Sequence, residues 1–204
     1  MPKQVDHDEQ RSAIAHAALR VIARVGIESA TMRGIAAEAD CTTGLLTHYF
    51  SSRDDLIDHA LVAAHTEFFH QLDREITHGK NGRDALLRAL VVMSNVPSGS
   101  DQSVLLHEMA TVLGDTKARR RLAELYGDVE QRLTGQAARA ADDTSLVTSW
   151  PARDLVHHLT ATAEGLYMAA IARPQVFTVS RRRALLDAAL DAAASESPNH
   201  RKTG

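Results

Sequence analysis

One cysteine in 204 residues excludes an internal disulfide framework and fits a reducing compartment. Aromatic residues are scarce at 4%, although hydrophobic residues reach 44%. A core must therefore be assembled from small aliphatic side chains, alanine foremost, which suits closely packed helices. Positive charge is not in excess. The formal net charge is -3, so the chain is no polycation that would coat nucleic acid by its field alone. No run of about 18 apolar residues is present to span a membrane. The opening "MPKQVDHDEQRS" is polar and lacks the apolar centre of a signal peptide. A cytoplasmic protein without a membrane partner is expected. Strand-like alternation, internal repeats and low-complexity tracts are also missing. What remains is an all-α chain long enough for one or two domains.

Helical periodicity supplies the layout. Ile14, Ala18, Val21, Ile22 and Val25 share a face, and Gly26 follows as a stop signal. Asp6 with Glu9 has the spacing of a capping box at the start of that helix. Thr31 caps a short second helix, "MRGIAAEA". A break at Asp40-Cys41-Thr42 leads into a third, "TTGLLTHYF". Ser51 or Ser52 caps a long fourth helix, where Asp54, Asp55 and Asp58 complement the N-terminal dipole. Leu56, Leu61, Ala64, Phe68 and Leu72 form its buried face. Further helices are expected at about 83–94, 101–113, 116–141, 151–172 and 180–194. That makes about nine: three short ones in front and a larger bundle behind. Residues 195–204 read as a disordered tail.

The third helix carries unusual chemistry. Two short helices joined by a tight turn and braced by a first helix form a helix-turn-helix unit. Its second helix enters the major groove, where small donors, acceptors and methyl groups meet phosphates and base edges. Thr42, Thr43, Thr47 and His48 supply polar groups, and Gly44 allows close backbone approach. Leu46 and Phe50 point the other way, toward Val21, Ile22, Ile35 and Ala36.

The stretch "TMRGIAAEADCTTGLLTHYFSSRDDLIDHAL" resembles the DNA-binding signature of TetR-family (TetR/AcrR type) transcriptional regulators, over residues 11 to about 62. "TTGLLTHYF" is most similar to the branch that regulates betaine and choline metabolism. The resemblance implies a DNA-binding domain over 1–52 and a ligand-binding and dimerisation domain over 53–194. It places Thr31 and Arg33 at the phosphate backbone. Thr42, Thr43, Gly44, Leu45, Thr47, His48 and Tyr49 form or flank the reading surface. Arg53 stands where the family has a phosphate-contacting lysine. Three positions depart from the pattern. Gly34 replaces an acid that would complete a capping box. Asp40 replaces the turn glycine, a position asparagine or aspartate tolerates. Thr47 replaces a DNA-facing tyrosine. Residues 1–53 hold six Lys or Arg against six Asp or Glu, so affinity must come from local placement and dimeric binding.

The rear helices carry two further expectations. The 151–172 helix is apolar on two adjacent stripes, so it is buried on two sides. Gly165 at its middle costs about 1 kcal/mol against alanine unless close packing or a ligand compensates. The last helix carries a stripe that includes Leu186 and Leu190. By resemblance the two pair with their copies, with Leu155, Leu159, Leu166, Leu186 and Leu190 at a dimer interface. The resemblance also implies an effector pocket, with candidates Phe68, Met93, His107, Trp150, His157, Glu164, Tyr167 and Met168. Most of these otherwise read as ordinary core residues. Glu164, a carboxylate on an apolar helix, needs solvent, an arginine partner or a cationic ligand caged by aromatics such as Tyr167 and Trp150.

The remaining chemistry reads as structural. Cys41 has no basic neighbour in sequence and reads as a packed thiol rather than a redox sensor. The histidine spacings give no metal set, no cofactor is implied, and the runs Lys117–Arg121 and Arg181–Arg183 read as solvated faces. No nucleophile–base pair or phosphate loop suggests an enzyme. The sequence thus points to a ligand-responsive repressor that binds palindromic operator DNA as a homodimer and is released by a small-molecule effector. A helical ligand-binding or protein-interaction module with a degenerate helix-turn-helix is the alternative.

Overall fold

The computed structural model describes residues 3–95, 108–110, 112 and 114–195. Among them there is helix and no strand. The helices are α1 (Lys3–Val25), α2 (Met32–Glu38), α3 (Thr43–Tyr49), α4 (Arg53–Thr77), α5 (Gly82–Ser94), α6 (Thr116–Asp142), α7 (Ala152–Ala172) and α8 (Val179–Ser195). Residues 108–110 are also helical, within the helix expected at 101–113. The rest of that helix and the tail beyond Ser195 lie outside the described residues. No helix among those described is long and apolar enough to cross a membrane.

The start of α1 differs from expectation. The helix begins at Lys3, so Asp6 lies inside it rather than capping it. Gln4 and Val5 contain no breaker that would delay the start. The other boundaries follow their signals. Gly26, at φ 82°, ends α1 by donating its N–H to Ile22 O at 2.8 Å, the left-handed cap that glycine favours. Thr31 Oγ1 accepts from Gly34 N at 3.1 Å, and Thr42 Oγ1 accepts from Leu45 N at 3.2 Å. Asp40 adopts the left-handed region at φ 51°, as the turn requires. Ser52 Oγ accepts from Asp55 N at 3.1 Å, while the Asp55 carboxylate accepts from Ser51 N at 2.8 Å. That reciprocal pair opens α4, and the hydrogen bonds from the Ser51 N–H and hydroxyl hold the Asp55 carboxyl below its ordinary range.

Two compact units form. One contains residues 1–69 with 97–123, the other 70–96 with 124–204. The division falls inside α4. The reason is packing: Leu56, Ile57, Ala60 and Leu61 of α4 join the same buried cluster as Ile14, Ala18, Val21, Ile22, Ile35, Ala36, Leu46 and Phe50. This cluster fixes α2 and α3 on α1, and Arg20 and Arg24 add ion pairs to Glu38 at 2.7 and 3.1 Å.

In the second unit α5 packs on α7 and α8. Leu86, Leu90, Leu155, Leu159, Leu186 and Leu190 are each at most 1% exposed there. Gly82 sits directly against the α6 backbone at Ala140. Its N–H donates to Asp143 Oδ2 at 2.7 Å, and Arg83 N donates to Ser145 Oγ at 3.0 Å. Arg83 then ties α5 to α8 through Asp187 and Asp191, at 2.8 and 2.6 Å.

Candidate functional site

The face of α3 opposite Leu46 and Phe50 is open to solvent. Thr42, Thr43, Gly44, Thr47 and His48 are exposed, while Leu45 and Tyr49 are half-buried flankers. The Thr42 hydroxyl is engaged as the cap, and Thr47 Oγ1 donates to Gly44 O at 3.0 Å. Both keep lone pairs for a donor outside the chain. A Cβ on Gly44 would meet only Thr42 Oγ1, at 3.7 Å. The protein interior therefore does not require this glycine, and its bare backbone faces outward. Thr31 and Arg33 on α2 are exposed as well. Cys41 is half-buried against the core, and burial, then the Asp40 charge, push its thiol up. It stays protonated, so its role is packing.

Arg53 has a different job from the one its position suggests. Its Nε donates to Ala30 O at 2.6 Å, Nη2 donates to Glu28 O at 3.3 Å and to Ile27 O, and Nη1 donates to Asp54 at 2.9 Å. Four of the five N–H groups of a guanidinium are thus used inside the chain. Arg53 anchors α4 to the loop that precedes the Thr31 cap and has little left for a phosphate.

Sequence reasoning missed two groups. The first is His7, whose ring lies 4.6 Å from Tyr49 and 5.6 Å from His48. Its only sequence signal was that α1 meets no breaker before Asp6. The second is an ion network. The Glu108 side chain, 1% exposed, bonds His65 Nε2 at 2.8 Å and Arg121 Nε at 2.9 Å. Arg121 also meets Asp58 at 2.7 Å, and Lys117 pairs with Asp58. Arg121 therefore does not belong to a solvated face. The same correction applies to Arg182, 5% exposed, which donates to Phe177 O at 2.6 Å and Asn95 Oδ1 at 3.2 Å. Asn95 caps the C-terminus of α5, where a cation complements the helix dipole. A cleft of about 830 Å³ borders the network, but Arg53, Lys117 and Arg121 in its wall are already engaged by protein oxygens.

Four of the five expected interface leucines are corrected too. Leu155, Leu159, Leu186 and Leu190 are buried within one chain and fill the seam of α5, α7 and α8. Leu166 is half-buried. The exposed side of α7 carries Ala161, Gly165, Met168 and Ala172 at helical spacing, and that of α8 carries Ala184, Ala188 and Ala192. A Cβ on Gly165 would meet nothing within 4 Å, so no packing within the chain calls for that glycine.

The effector candidates differ in burial. Phe68 and Met93 are half-buried and Tyr167 is buried, whereas His157 and Met168 are exposed. His107 lies outside the described residues. Trp150 packs on His158 at 5.2 Å and lines a cavity of about 200 Å³ with Ala137, Leu146 and Leu155. His158 precedes Glu164 by about 9 Å of helical rise and about 120° of rotation. The partner of Glu164 is a tyrosine rather than an arginine. Tyr126 of α6 donates its hydroxyl to the half-buried carboxylate, and burial pushes both groups up. Thr160, one turn earlier, has a buried hydroxyl without a hydrogen-bond partner. Among the described residues no three His, Cys, Asp or Glu come together as a metal set.

Comparison with known proteins agrees with this geometry. Residues 14–60 match the family described as "Bacterial regulatory proteins, tetR family". The HTH-type transcriptional repressor KstR of Rhodococcus jostii is 32% identical over 141 residues, 67% of this chain and 61% of that protein. The chain thus spans about three fifths of this relative. The HTH-type transcriptional regulator BetI of Paraburkholderia phytofirmans is 23% identical over 168 residues, 82% of this chain and 85% of that one. A transcriptional regulator from Saccharomonospora viridis, solved in complex with choline, superposes with a TM-score of 0.79. It is 22% identical, covering 90% of this chain and 96% of its own. With the helix-turn-helix cluster, its caps and this shared layout in place, the chain belongs to the TetR family of bacterial transcriptional regulators.

Proposed function

We propose that the chain is a ligand-responsive repressor that binds a palindromic operator as a homodimer. The observation that carries the reading is the outer face of α3. It is a rigid platform, anchored by buried Leu46 and Phe50, that presents free hydroxyl lone pairs and bare backbone to solvent. Such a face suits base edges and thymine methyls in the major groove. Thr31 and Arg33 meet phosphates beside it, and Arg53 positions the α2 cap instead of touching DNA. Residues 1–52 read the operator, and residues 53–194 bind the effector and a second copy.

The small apolar stripes of α7 and α8 supply the dimer face. Alanine and glycine allow close helix approach, and Gly165 is open for it. The effector site is built around the Glu164–Tyr126 pair and the Thr160 hydroxyl, a polar trio on otherwise apolar helices. A cationic effector gains from Glu164, in line with the choline bound by the Saccharomonospora regulator. Binding shifts the population toward a conformation whose two α3 helices no longer match successive major grooves, about 34 Å apart.

Selection of duplexes from a random pool, followed by salt-graded gel shifts, tests the reading. Thr43→Ala should weaken the selected duplex by roughly 5- to 150-fold, the range of one base contact at about 1–3 kcal/mol. Recovery of no preferred duplex would favour the degenerate-module reading.

A further inference from the structure

The side chain that nothing so far places at the DNA is His7. It lies on α1, not on the helix-turn-helix proper, yet its ring sits against both residues that close the reading helix. The separations are 4.6 Å to Tyr49, 5.6 Å to His48 and 5.3 Å between His48 and Tyr49. Tyr49 is half-buried on the core cluster, so it forms a fixed platform for two imidazoles. Both His7 and His48 are exposed. His48 occupies the last turn of α3, where the helix dipole favours a cation. His7 lies near the start of α1, where that dipole favours an anion close by.

We infer that His7 and His48 form a two-imidazole phosphate clamp at the end of the reading helix, which makes operator binding proton-linked. The inference rests on the repressor reading above. Imidazole is the side chain that changes charge between pH 5 and 8. The rings are 5.6 Å apart, so one phosphate can meet both. A phosphate between two imidazole rings favours their charged form. DNA binding therefore takes up protons and tightens as the pH falls.

The charged surroundings are few. Asp8, Glu9 and Arg11 share α1 with His7. Arg11 lies over Phe50 at 5.2 Å and within electrostatic reach of Asp55 on α4, as does His59. Tyr49 is the titratable neighbour on α3. No carboxylate is hydrogen-bonded to either ring among the described residues.

The test measures affinity for the selected duplex at pH 6 and pH 8 over a salt series. Wild type should bind at least about tenfold more tightly at pH 6, as one linked proton contributes up to tenfold per pH unit. Its salt slope should be steeper at pH 6 by roughly one phosphate contact, about 0.9. His7→Phe keeps a ring on Tyr49 but cannot be protonated. It should fold normally and lose about half of that extra slope, and His7→Phe with His48→Phe should lose it all. A His7→Phe variant with the wild-type pH ratio and slopes would make His7 a packing residue and overturn the clamp. Binding of no preferred duplex at either pH would instead overturn the repressor reading. Tight but pH-independent binding would overturn the clamp alone.

Discussion

Glu108→Gln tests a fully buried charge in the first unit. The carboxylate is 1% exposed and bridges His65 at 2.8 Å and Arg121 at 2.9 Å. Glutamine keeps the shape and removes the charge. Removing one partner of a buried ion pair costs about 3–5 kcal/mol, because the other charge is left uncompensated. Arg121 retains Asp58 at 2.7 Å, which places the expected loss near the lower end, about 3 kcal/mol. At about 2–4 °C per kcal/mol for a chain of this size, the midpoint should fall by roughly 6–12 °C.

The effect should depend on pH in one direction. Burial pushes the Glu108 carboxyl up, but the hydrogen bonds and charges of His65 and Arg121 outweigh it and hold the group below its ordinary value. Its contribution is therefore complete above the unfolded-state value, about 4.3, and disappears as the pH drops through the lower folded-state value. Thermal unfolding followed by circular dichroism should show the full gap between wild type and variant at pH 7. Below about pH 4 the gap should close. A variant that melts with wild type at pH 7, or a gap that persists undiminished in acid, would refute the reasoning.

Arg53→Met should destabilise the first unit by about 2–4 kcal/mol, the sum of its charged hydrogen bonds to the loop carbonyls. It should leave the salt slope of DNA binding unchanged, and a slope reduced by one contact would restore Arg53 to the phosphate. Gly82→Ala forces a Cβ to within 2.1 Å of Ala140 N, and backbone cannot yield as a side-chain end can. A loss of about 1–3 kcal/mol should appear as a lower denaturant midpoint at constant m-value, and wild-type stability would contradict the packing. Met168→Glu with Ala188→Glu should give a folded monomer by sedimentation, because each puts charge on the exposed stripe and not in the chain's own core. A dimer of wild-type strength would move the interface elsewhere. Glu164→Gln should weaken choline, used as a probe cation, more than a neutral isostere in a thermal-shift titration, and equal loss for both would remove the counter-charge role.

Local signals settled much of this protein. The stop at Gly26, the caps at Thr31 and Thr42 and the left-handed turn at Asp40 are decided within a few residues by backbone sterics and hydrogen-bond supply. The period of Leu46 and Phe50 likewise decided which face of α3 turns inward and so which face is left to solvent. Tertiary structure decided what those faces meet. The stripe of Leu155 and Leu159 announced burial, but periodicity cannot say whether the burying partner is the same chain or another. Here α5 and α8 take it, and the side of these helices left exposed is mostly alanine and glycine, which carry almost no hydrophobic contrast in a sequence. Charged residues were misread for the same reason. Arg121 and Arg182 look solvated because each finds oxygens only where the fold brings distant segments together. Glu108 is the extreme case, since its burial exists only once α4 and α6 have packed. A side chain's solvation depends on what the rest of the chain places around it, and that is a long-range property no local pattern encodes.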